Sequence, residues 1–344
     1  MSNNKLVRIH WKEIDMSRIP YNGLNAPPSF DSKIIDGLCE IDWENIDSLG
    51  NAKWIPYQLT QLARFNNYDD WSENFQELFF EQMYHQGIIY GATPQIIRIF
   101  HKLLLDINES AVVDLLWGIA TAGKCTFSDD FNEDLSNSDI GPKYRSILLN
   151  TREAIIQGAK TYLNFLKNPD PSIRSHAIYA LLVCNNYSSE ILTHLENEKD
   201  HAVLSTGLTA LYYLDPESGY DLAKNNINAN SMLGLISSAL ISLVLKDKTP
   251  ADVIHVITDS VVKEDLEGFE DLPFDLIDQP YFFATEVLIK VGPPAGYAAI
   301  PILSKTLNHC ESYQAEEPFQ AILGATFSLR QTPLLLSELN ATCK

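Results

Sequence analysis

The spacing of apolar and polar residues predicts a helix that begins at Pro171. Four residues stand at positions i, i+4, i+7 and i+8, which share one face of an α-helix: Ile173, Ala177, Ala180 and Leu181. Asp170 is suited to cap this helix, and Pro171 to occupy its first position, where a missing N–H costs nothing. The alanines on the apolar face indicate close approach to a neighbouring helix.

The same pattern returns at intervals of about thirty residues. Asp200 aligns with Asp170, and Gly207 takes the place of Ala177. Ala-Leu pairs follow the first one at steps of 30 and 29, at 210–211 and 239–240. Periods in this range are typical of stacked supersecondary units. The alternative is three unrelated amphipathic helices with alanine seams, but it does not explain why the aspartate cap also recurs.

Helical periodicity covers most of the remaining chain, and we therefore predict an all-α fold. Prolines and polar residues at 1–33 predict an extended N-terminal arm, and 34–344 a single array of about eight helix pairs. One helix is predicted to begin at Asp69 and Asp70 and to end at Gly87, the usual glycine position after a helix. The apolar stretch 231–245 is too short to span a bilayer and predicts a buried helix.

Two acidic insertions interrupt the predicted repeats. The first, 125–143, holds five acidic residues and no basic residue before Lys143. The second, 263–280, holds seven acidic residues alternating with Phe, Leu and Ile.

Two sets of residues resemble known helical repeat proteins. The helix at 171–184, with Ile173-Arg174, Ala177 and Ala180-Leu181, resembles the HEAT repeat family in its short bacterial form. The copy at 200–214 lacks the arginine, since Leu204 stands there, and the copy at 231–245 lacks both the arginine and the aspartate cap. Residues 40–120 are similar to the start of bacterial HEAT-like proteins, on the following positions: Ile41-Asp42-Trp43, Gly50, Ala52, Pro56, His85-Gln86-Gly87, Tyr90, Ala92 and Thr93.

The resemblance implies a right-handed α-solenoid of HEAT-like helical hairpin repeats, in which each helix pair contacts only its neighbours. Some members of this group of bacterial proteins are taken to be immunity proteins encoded beside toxin genes. The resemblance therefore implies a protein that binds another protein.

Charge narrows the classes of partner. The net charge is -20, from 45 acidic against 25 basic residues. Such a field repels phosphate backbones and anionic lipid surfaces, and it attracts basic proteins. We therefore expect a protein partner with a basic surface, and neither a nucleic acid nor a membrane. The five cysteines are scattered without a CxxC pair and no secretory signal is recognisable, so we expect a location in a reducing cytoplasm.

No catalytic constellation is recognisable, and we expect no catalytic residues, no cofactor and no metal site. His85 lacks a second histidine at ligand spacing, and we interpret it as a residue that hydrogen-bonds the last carbonyls of its helix. Asp114 and Trp117 share a helix face, as in DNA glycosylases built on HEAT-like repeats, but we interpret Trp117 as a core residue. Cys125 and Cys184 are interpreted as unreactive thiols.

The acidic insertions are the candidate partner-binding sites, because anions steer an encounter while aromatic residues anchor it. The alternatives are solvated surface for the first insertion and, for the second, a loop that folds back on its own repeats. The predicted contact residues are Asp129, Asp130, Glu133, Asp134, Glu264, Asp265, Glu267, Phe269, Glu270, Asp271, Phe274 and Asp275.

The sequence thus favours a non-catalytic protein-binding module, of the immunity type, that neutralises a toxin domain through an acidic surface. The alternative is a HEAT-like enzyme or accessory chaperone, of the alkyl-base DNA glycosylase or bilin lyase type.

Overall fold

The computed structural model describes residues 41–50, 52–62, 68–105, 109–126, 141–228, 230–261 and 265–292, together with Leu38, Ile107 and Lys263. The described chain is mostly helical, which confirms the predicted all-α class at the level of secondary structure. It forms two compact units, Met1–Asn164 and Phe165–Lys344. The predicted N-terminal arm, most of the insertion at 125–143 and the helix pairs predicted beyond 292 lie outside the described residues.

The described part of the first unit is mostly helical. The helices are α1 (Ile55–Leu62), α2 (Tyr68–Leu78), α3 (Thr93–Leu103), α4 (Glu109–Lys124), α5 (Pro142–Gln157) and α6 (Ala159–Phe165), with short 3₁₀ turns at Trp43–Asn45 and Ala52–Trp54. Helix α2 packs against α1 and α4, and α5 packs against α3 and α4.

A short hairpin interrupts the helices of the first unit. A π-helical turn, Phe79–Met83, follows α2 and leads into two antiparallel strands, β1 (Tyr84–His85) and β2 (Ile88–Ile89). The two turn residues, Gln86 and Gly87, have φ angles of 49° and 83°, as a two-residue hairpin turn of type I′ requires. The predicted helix end at Gly87 is therefore wrong, because the helix stops earlier and Gly87 closes the hairpin.

The second unit contains two rows of helices. The first row is α7 (Pro171–Cys184), α9 (His201–Leu214), α11 (Met232–Leu245) and α13 (Pro280–Val291), and its members pack side by side in that order. The second row is α8 (Ser188–Leu195), α10 (Pro216–Lys224) and α12 (Ala251–Ser260). Each member of the second row packs against helices of the first row, and α8 also packs against α10.

The residues predicted to form the seam between the helices are buried. The alanine and leucine positions of all three copies are fully inaccessible to solvent, as is the first apolar position of α7: Ile173, Ala177, Ala180, Leu181, Ala210, Leu211, Ala239 and Leu240. The small side chains of the four alanines let neighbouring helices approach closely. The thirty-residue spacing therefore corresponds to equivalent packed helices.

Side-chain caps define the start of each first-row helix that the repeat predicted. Asp170 accepts a hydrogen bond from the N–H of Ser172, and Asp200 accepts from the N–H groups of Ala202 and Val203. These contacts confirm the predicted caps and satisfy N–H groups that have no partner within the helix. The third helix, α11, uses Ser231 instead, which accepts from the N–H of Gly234.

The turns that precede these helices share a second contact. The side-chain oxygens of Asn168, Glu198 and Asn228 each accept a hydrogen bond from the backbone N–H two residues later, at 2.8, 2.9 and 3.4 Å. The three residues are spaced by thirty positions. The repeat therefore includes the turns as well as the helices.

Arg174 joins the first of these turns to the second. Its guanidinium donates to both carboxylate oxygens of Glu198, with Nε–Oε2 2.9 Å and Nη2–Oε1 3.1 Å. Its Nη1 donates to the carbonyls of Asn168 and Pro169 at 3.0 and 2.9 Å. Only 13% of the Arg174 side chain and 8% of the Glu198 side chain are exposed. A bidentate pair shielded in this way fixes the spacing between two consecutive turns.

The surroundings of Glu198 favour its ionised carboxylate. Burial by itself would raise the pKa of the Glu198 carboxyl, but the N–H groups of Asp200 and Lys199 and the guanidinium of Arg174 outweigh that effect. The pKa of Glu198 therefore lies below its ordinary value.

Candidate functional site

The second acidic insertion is a folded segment in the second unit. We call residues 265–278 the acidic segment. Its backbone forms a parallel bridge with the residues before α11: the N–H of Met232 donates to the carbonyl of Glu267 at 2.9 Å, and the N–H of Glu267 donates to the carbonyl of Asn230 at 3.3 Å. Local turns hold the rest of the segment, with donation from Phe269 to Leu266 at 2.9 Å and from Leu276 to Pro273 at 3.0 Å.

The apolar and acidic residues of the acidic segment separate according to burial. Its aliphatic side chains are buried in the second unit, each less than a tenth exposed: Leu266, Leu272, Leu276 and Ile277. Most of its acidic side chains lie on the surface. The segment therefore folds back on its own unit through its aliphatic residues, while it presents its carboxylates to solvent.

The predicted contact residues are distributed as follows. Phe274 is 69% exposed, whereas Phe269 is half-buried and offers less surface to a partner. Asp265, Glu267, Glu270 and Asp271 are exposed, and Asp275 is half-buried. The other predicted contact residues lie outside the described residues: Asp129, Asp130, Glu133, Asp134 and Glu264.

Four carboxylates of the acidic segment have no basic partner within the part of the chain that the structure describes. They are Asp265, Glu267, Glu270 and Asp271. By contrast, the exposed Glu286 on α13 pairs with Lys290 at 2.8 Å. The acidic segment thus carries a local excess of negative charge that attracts a basic surface.

A cleft of about 430 Å³ lies between the acidic segment and the starts of α7 and α9. Its lining comes from all three elements: Pro171, Ser172 and His176 from α7, Asp200, His201 and Ala202 from the start of α9, and Glu270, Asp271 and Leu272 from the acidic segment. The volume suits a small ligand or one long side chain.

His176 is the most buried titratable side chain that lines this cleft. The residue is only 9% exposed, and its Nδ1 lies 2.8 Å from the carbonyl oxygen of Ser172. A carbonyl only accepts, so Nδ1 carries the proton and Nε2 is a free acceptor in the neutral ring. Burial lowers the pKa of His176, and the hydrogen bond to Ser172 and the nearby Asp170 oppose this effect only in part. The ring is therefore neutral at physiological pH.

The sequence did not identify this cleft. His176 is a lone histidine in the chain's pattern, and no motif sets it apart from the other core positions of α7. The signal that was present is the alignment of Asp170 with Asp200, which predicts that two helix starts lie side by side. That the acidic segment would close the third side depends on long-range contacts.

In the first unit, Asp114 lies on α4 beside aromatic residues. Burial raises the pKa of its carboxyl to about 6, although a hydrogen bond with Tyr68 opposes the effect. Its Oδ2 has no hydrogen-bond partner among the described residues. Trp117 packs against Phe79 with ring centroids 4.8 Å apart, and against Phe75 at 6.2 Å. Trp117 therefore packs against the aromatic core, but it is itself only half-buried, so its interpretation as a core residue holds in part.

His101 is a second half-buried titratable group of the first unit. Its Nε2 lies 2.6 Å from the hydroxyl of Tyr162. Burial, together with the nearby Arg98, lowers its pKa to about 4. The folded state of this unit therefore favours neutral His101, and it penalises an ionised Asp114.

Because of these two groups, we expect the stability of the first unit to depend on pH. The substitution Asp114→Asn tests this expectation. Because the folded-state pKa of Asp114 is raised, stability is lost as the pH rises from about 4 to about 6. We expect the substitution to stabilise the first unit by about 2 kcal/mol at neutral pH. Hydrogen exchange of the α4 amides measures the gain, which should vanish at about pH 4, where the wild-type carboxyl is protonated.

His101 supplies the control in the same experiment. Its lowered pKa means that the unfolded state binds the extra proton, so stability falls as the pH drops from 6.5 towards about 4. In the wild type the two trends oppose each other, and in Asp114→Asn only the loss on acidification remains. An identical pH profile for both proteins would show that Asp114 is ionised in the folded state without cost.

The structure also describes the positions of the other candidate residues, His85, Cys125 and Cys184. His85 lies exposed in β1, so its interpretation as a residue at a helix end is wrong. Cys184 is buried, and burial raises the pKa of the Cys125 thiol to about 11, which keeps that thiol protonated at neutral pH. Within the described ranges, no group of three or more His, Cys, Asp or Glu residues is arranged to hold a metal ion.

The described helices also include none with the length and apolar character needed to cross a membrane. No family model, curated protein or solved structure matches the chain.

Proposed function

We propose that this chain is a non-catalytic protein-binding module, and that its partner docks a basic surface on the acidic segment. One observation supports the proposal most directly. The acidic segment has an anchored backbone, and it carries four exposed carboxylates that have no basic partner in the described part of the chain. A solvated loop would need no such anchor. The anchored backbone of the acidic segment instead keeps these carboxylates together at one place on the surface, where they can steer an approaching partner.

The position of the aliphatic residues supports the same proposal. Leu266 and Leu272 are buried in the second unit, so partner binding does not require them to unfold from it. Phe274, at 69% exposure, is the aromatic residue of the segment best placed to contact a partner. Aromatic residues are enriched among those that contribute most to binding energy. The proposed interface therefore combines an exposed phenylalanine with the exposed carboxylates of the same segment.

The finer proposal is a right-handed α-solenoid of HEAT-like helix pairs that acts as a bacterial immunity-type protein. Three kinds of evidence support it: the thirty-residue spacing of the turns, the side-by-side packing of α7, α9 and α11, and the resemblance of the sequence to the HEAT repeat family. In this proposal the partner is a toxin domain with a basic face, and the acidic segment covers that face.

Binding to the product of an adjacent toxin gene tests the proposal. A variant with four uncharged replacements in the acidic segment removes the unpaired carboxylates: Asp265→Asn, Glu267→Gln, Glu270→Gln and Asp271→Asn. We expect the association rate constant to fall about tenfold at low salt, and its salt dependence to weaken. Surface plasmon resonance at several ionic strengths measures both quantities.

The matched control changes the same number and kind of charges elsewhere in the second unit. It replaces exposed residues of the second row and the turn after α11: Glu196→Gln, Glu217→Gln, Asp221→Asn and Asp247→Asn. This control should associate at the wild-type rate. An equal fall of the association rate constant in both variants would show that only the net charge matters. The absence of a complex at micromolar concentration would contradict the toxin-binding proposal.

A DNA column distinguishes the alternative enzyme class. An alkyl-base glycosylase must be retained on DNA at low salt, since phosphate contacts supply most non-specific affinity. With a net charge of -20 we expect this chain to flow through. Retention that salt removes would favour the glycosylase alternative instead.

A further inference from the structure

The cleft beside the acidic segment has a chemistry that selects one kind of ligand. Helix starts usually favour anions, because their N–H groups lack partners and the helix dipole is positive there. Here Asp170 already accepts from Ser172 at 2.8 Å, and Asp200 accepts from Ala202 at 3.0 Å and from Val203 at 3.2 Å. The donors that would hold an anion are occupied by carboxylates.

The remaining charges of the cleft also oppose an anion. Glu270 and Asp271 line it, and neither has a basic partner in the described ranges. Asp200 adds a third carboxylate to the lining. A ligand that enters the cleft must therefore be positively charged or rich in hydrogen-bond donors.

His176 provides a second and independent indication. Its ring is more than nine-tenths buried and lines the cleft, and Nδ1 is engaged by Ser172. Nε2 has no hydrogen-bond partner among the described residues, so it is open to a donor that enters the cleft. An acceptor in this position can receive a hydrogen bond from a ligand that donates one.

We propose that the cleft receives one arginine side chain of the basic partner, whose guanidinium donates to Nε2 of His176 and to the carboxylates of Glu270 and Asp271. This inference rests on the proposed function for the identity of the partner. Arginine fits better than lysine because its planar group presents several donors in fixed directions, which suits a neutral acceptor flanked by carboxylates. The cleft volume of about 430 Å³ accommodates its length.

Titration of the full chain with N-acetyl-arginine methylamide tests the cleft without the partner. The ring Cε1–H resonance of His176, identified by its absence in His176→Gln, reports occupancy. We expect a saturable shift with a dissociation constant on the order of 1 mM, since a single side chain buries little surface. The matching citrulline derivative has the same shape without the charge, and it should cause no saturable shift.

Two double variants locate the contact. Glu270→Gln with Asp271→Asn should weaken binding of the arginine derivative about tenfold. Glu196→Gln with Asp221→Asn, on the second row, should leave it unchanged. Equal response to arginine and citrulline, or equal losses in both double variants, would overturn the proposal.

The cleft proposal and the proposed function can fail separately. If the arginine derivative does not bind, but the association rate of the basic partner still depends on the acidic segment, the cleft proposal falls and the proposed function stands. If the arginine derivative binds in the cleft while no basic protein partner associates, the cleft assignment holds and the proposed function falls.

Discussion

Replacement of Arg174 by methionine is expected to destabilise the second unit by about 3–5 kcal/mol, because it leaves the carboxylate of Glu198 buried without its counter-charge. Methionine preserves much of the apolar volume, so the loss reports the charge rather than a cavity. The same substitution removes two donors from the carbonyls of Asn168 and Pro169. Hydrogen exchange of the α7 and α9 amides measures the change locally, which avoids a two-state assumption for a chain of two units.

A double-mutant cycle isolates the pair. Glu198→Gln removes the charge of Glu198 but keeps a side-chain oxygen that can accept from the N–H of Asp200. We expect the double variant to be less destabilised than the sum of the two single variants, by about 1–3 kcal/mol. Strict additivity would show that the two side chains stabilise the turns independently.

Acidification provides a further check on the same pair. The folded-state pKa of Glu198 is lowered, so the unfolded state binds the proton first, and the stability that Glu198 contributes is lost as the pH falls through that lowered value. The difference between wild type and Arg174→Met should therefore shrink in acid. A difference that is independent of pH would point to lost packing instead.

The second large effect is expected for Gly234→Ala in α11. An alanine inside a helix normally stabilises it by up to about 1 kcal/mol relative to glycine. At this position the added methyl group would overlap the backbone of Asn228, which cannot move as a flexible side chain could. We expect a destabilisation of about 3 kcal/mol or more, with the opposite sign to the helix preference.

This substitution should also disturb the acidic segment. Ser231 caps α11, and the backbone of Asn230 and Met232 holds Glu267. Displacement of Asn228 and Asn230 should expose the amide of Glu267 to hydrogen exchange and weaken partner binding. Ser238→Ala, which creates the same residue in the same helix and removes a buried hydroxyl without a partner, should change stability by less than about 1 kcal/mol. Similar losses in both variants would contradict the backbone overlap.

Local rules explain what the sequence could predict. Caps, helix faces and small-residue seams depend on residues within one turn of each other, so Asp170, Asp200 and the Ala-Leu pairs were sufficient to place α7, α9 and α11. The hairpin at Gln86 and Gly87 was missed because glutamine is uncommon in a turn that needs two positive φ angles. The preceding π-helical turn has no simple sequence signature.

Contacts between distant residues explain what the sequence could not predict. Arg174 and Glu198 are 24 positions apart, and their pairing becomes visible only when the turns are aligned at thirty-residue spacing. The path of the acidic segment is set by backbone atoms of Asn230 and Met232, and backbone contacts leave no trace in residue identity. The alternation of Leu with acids left open whether the apolar residues contact a partner or fold back on the repeats. The structure shows its aliphatic residues buried in the second unit.

The bridge between the acidic segment and residues 230–232 uses main-chain atoms alone. The backbone conformation of the segment therefore does not depend on the exposed side chains of Glu267, Glu270 and Asp271. Mutations can replace these side chains while the backbone bridge is kept. A lineage could exchange one recognition pattern for another at these positions while its fold stays the same. The same property would allow an experimenter to graft lysines there and redirect the surface toward acidic targets.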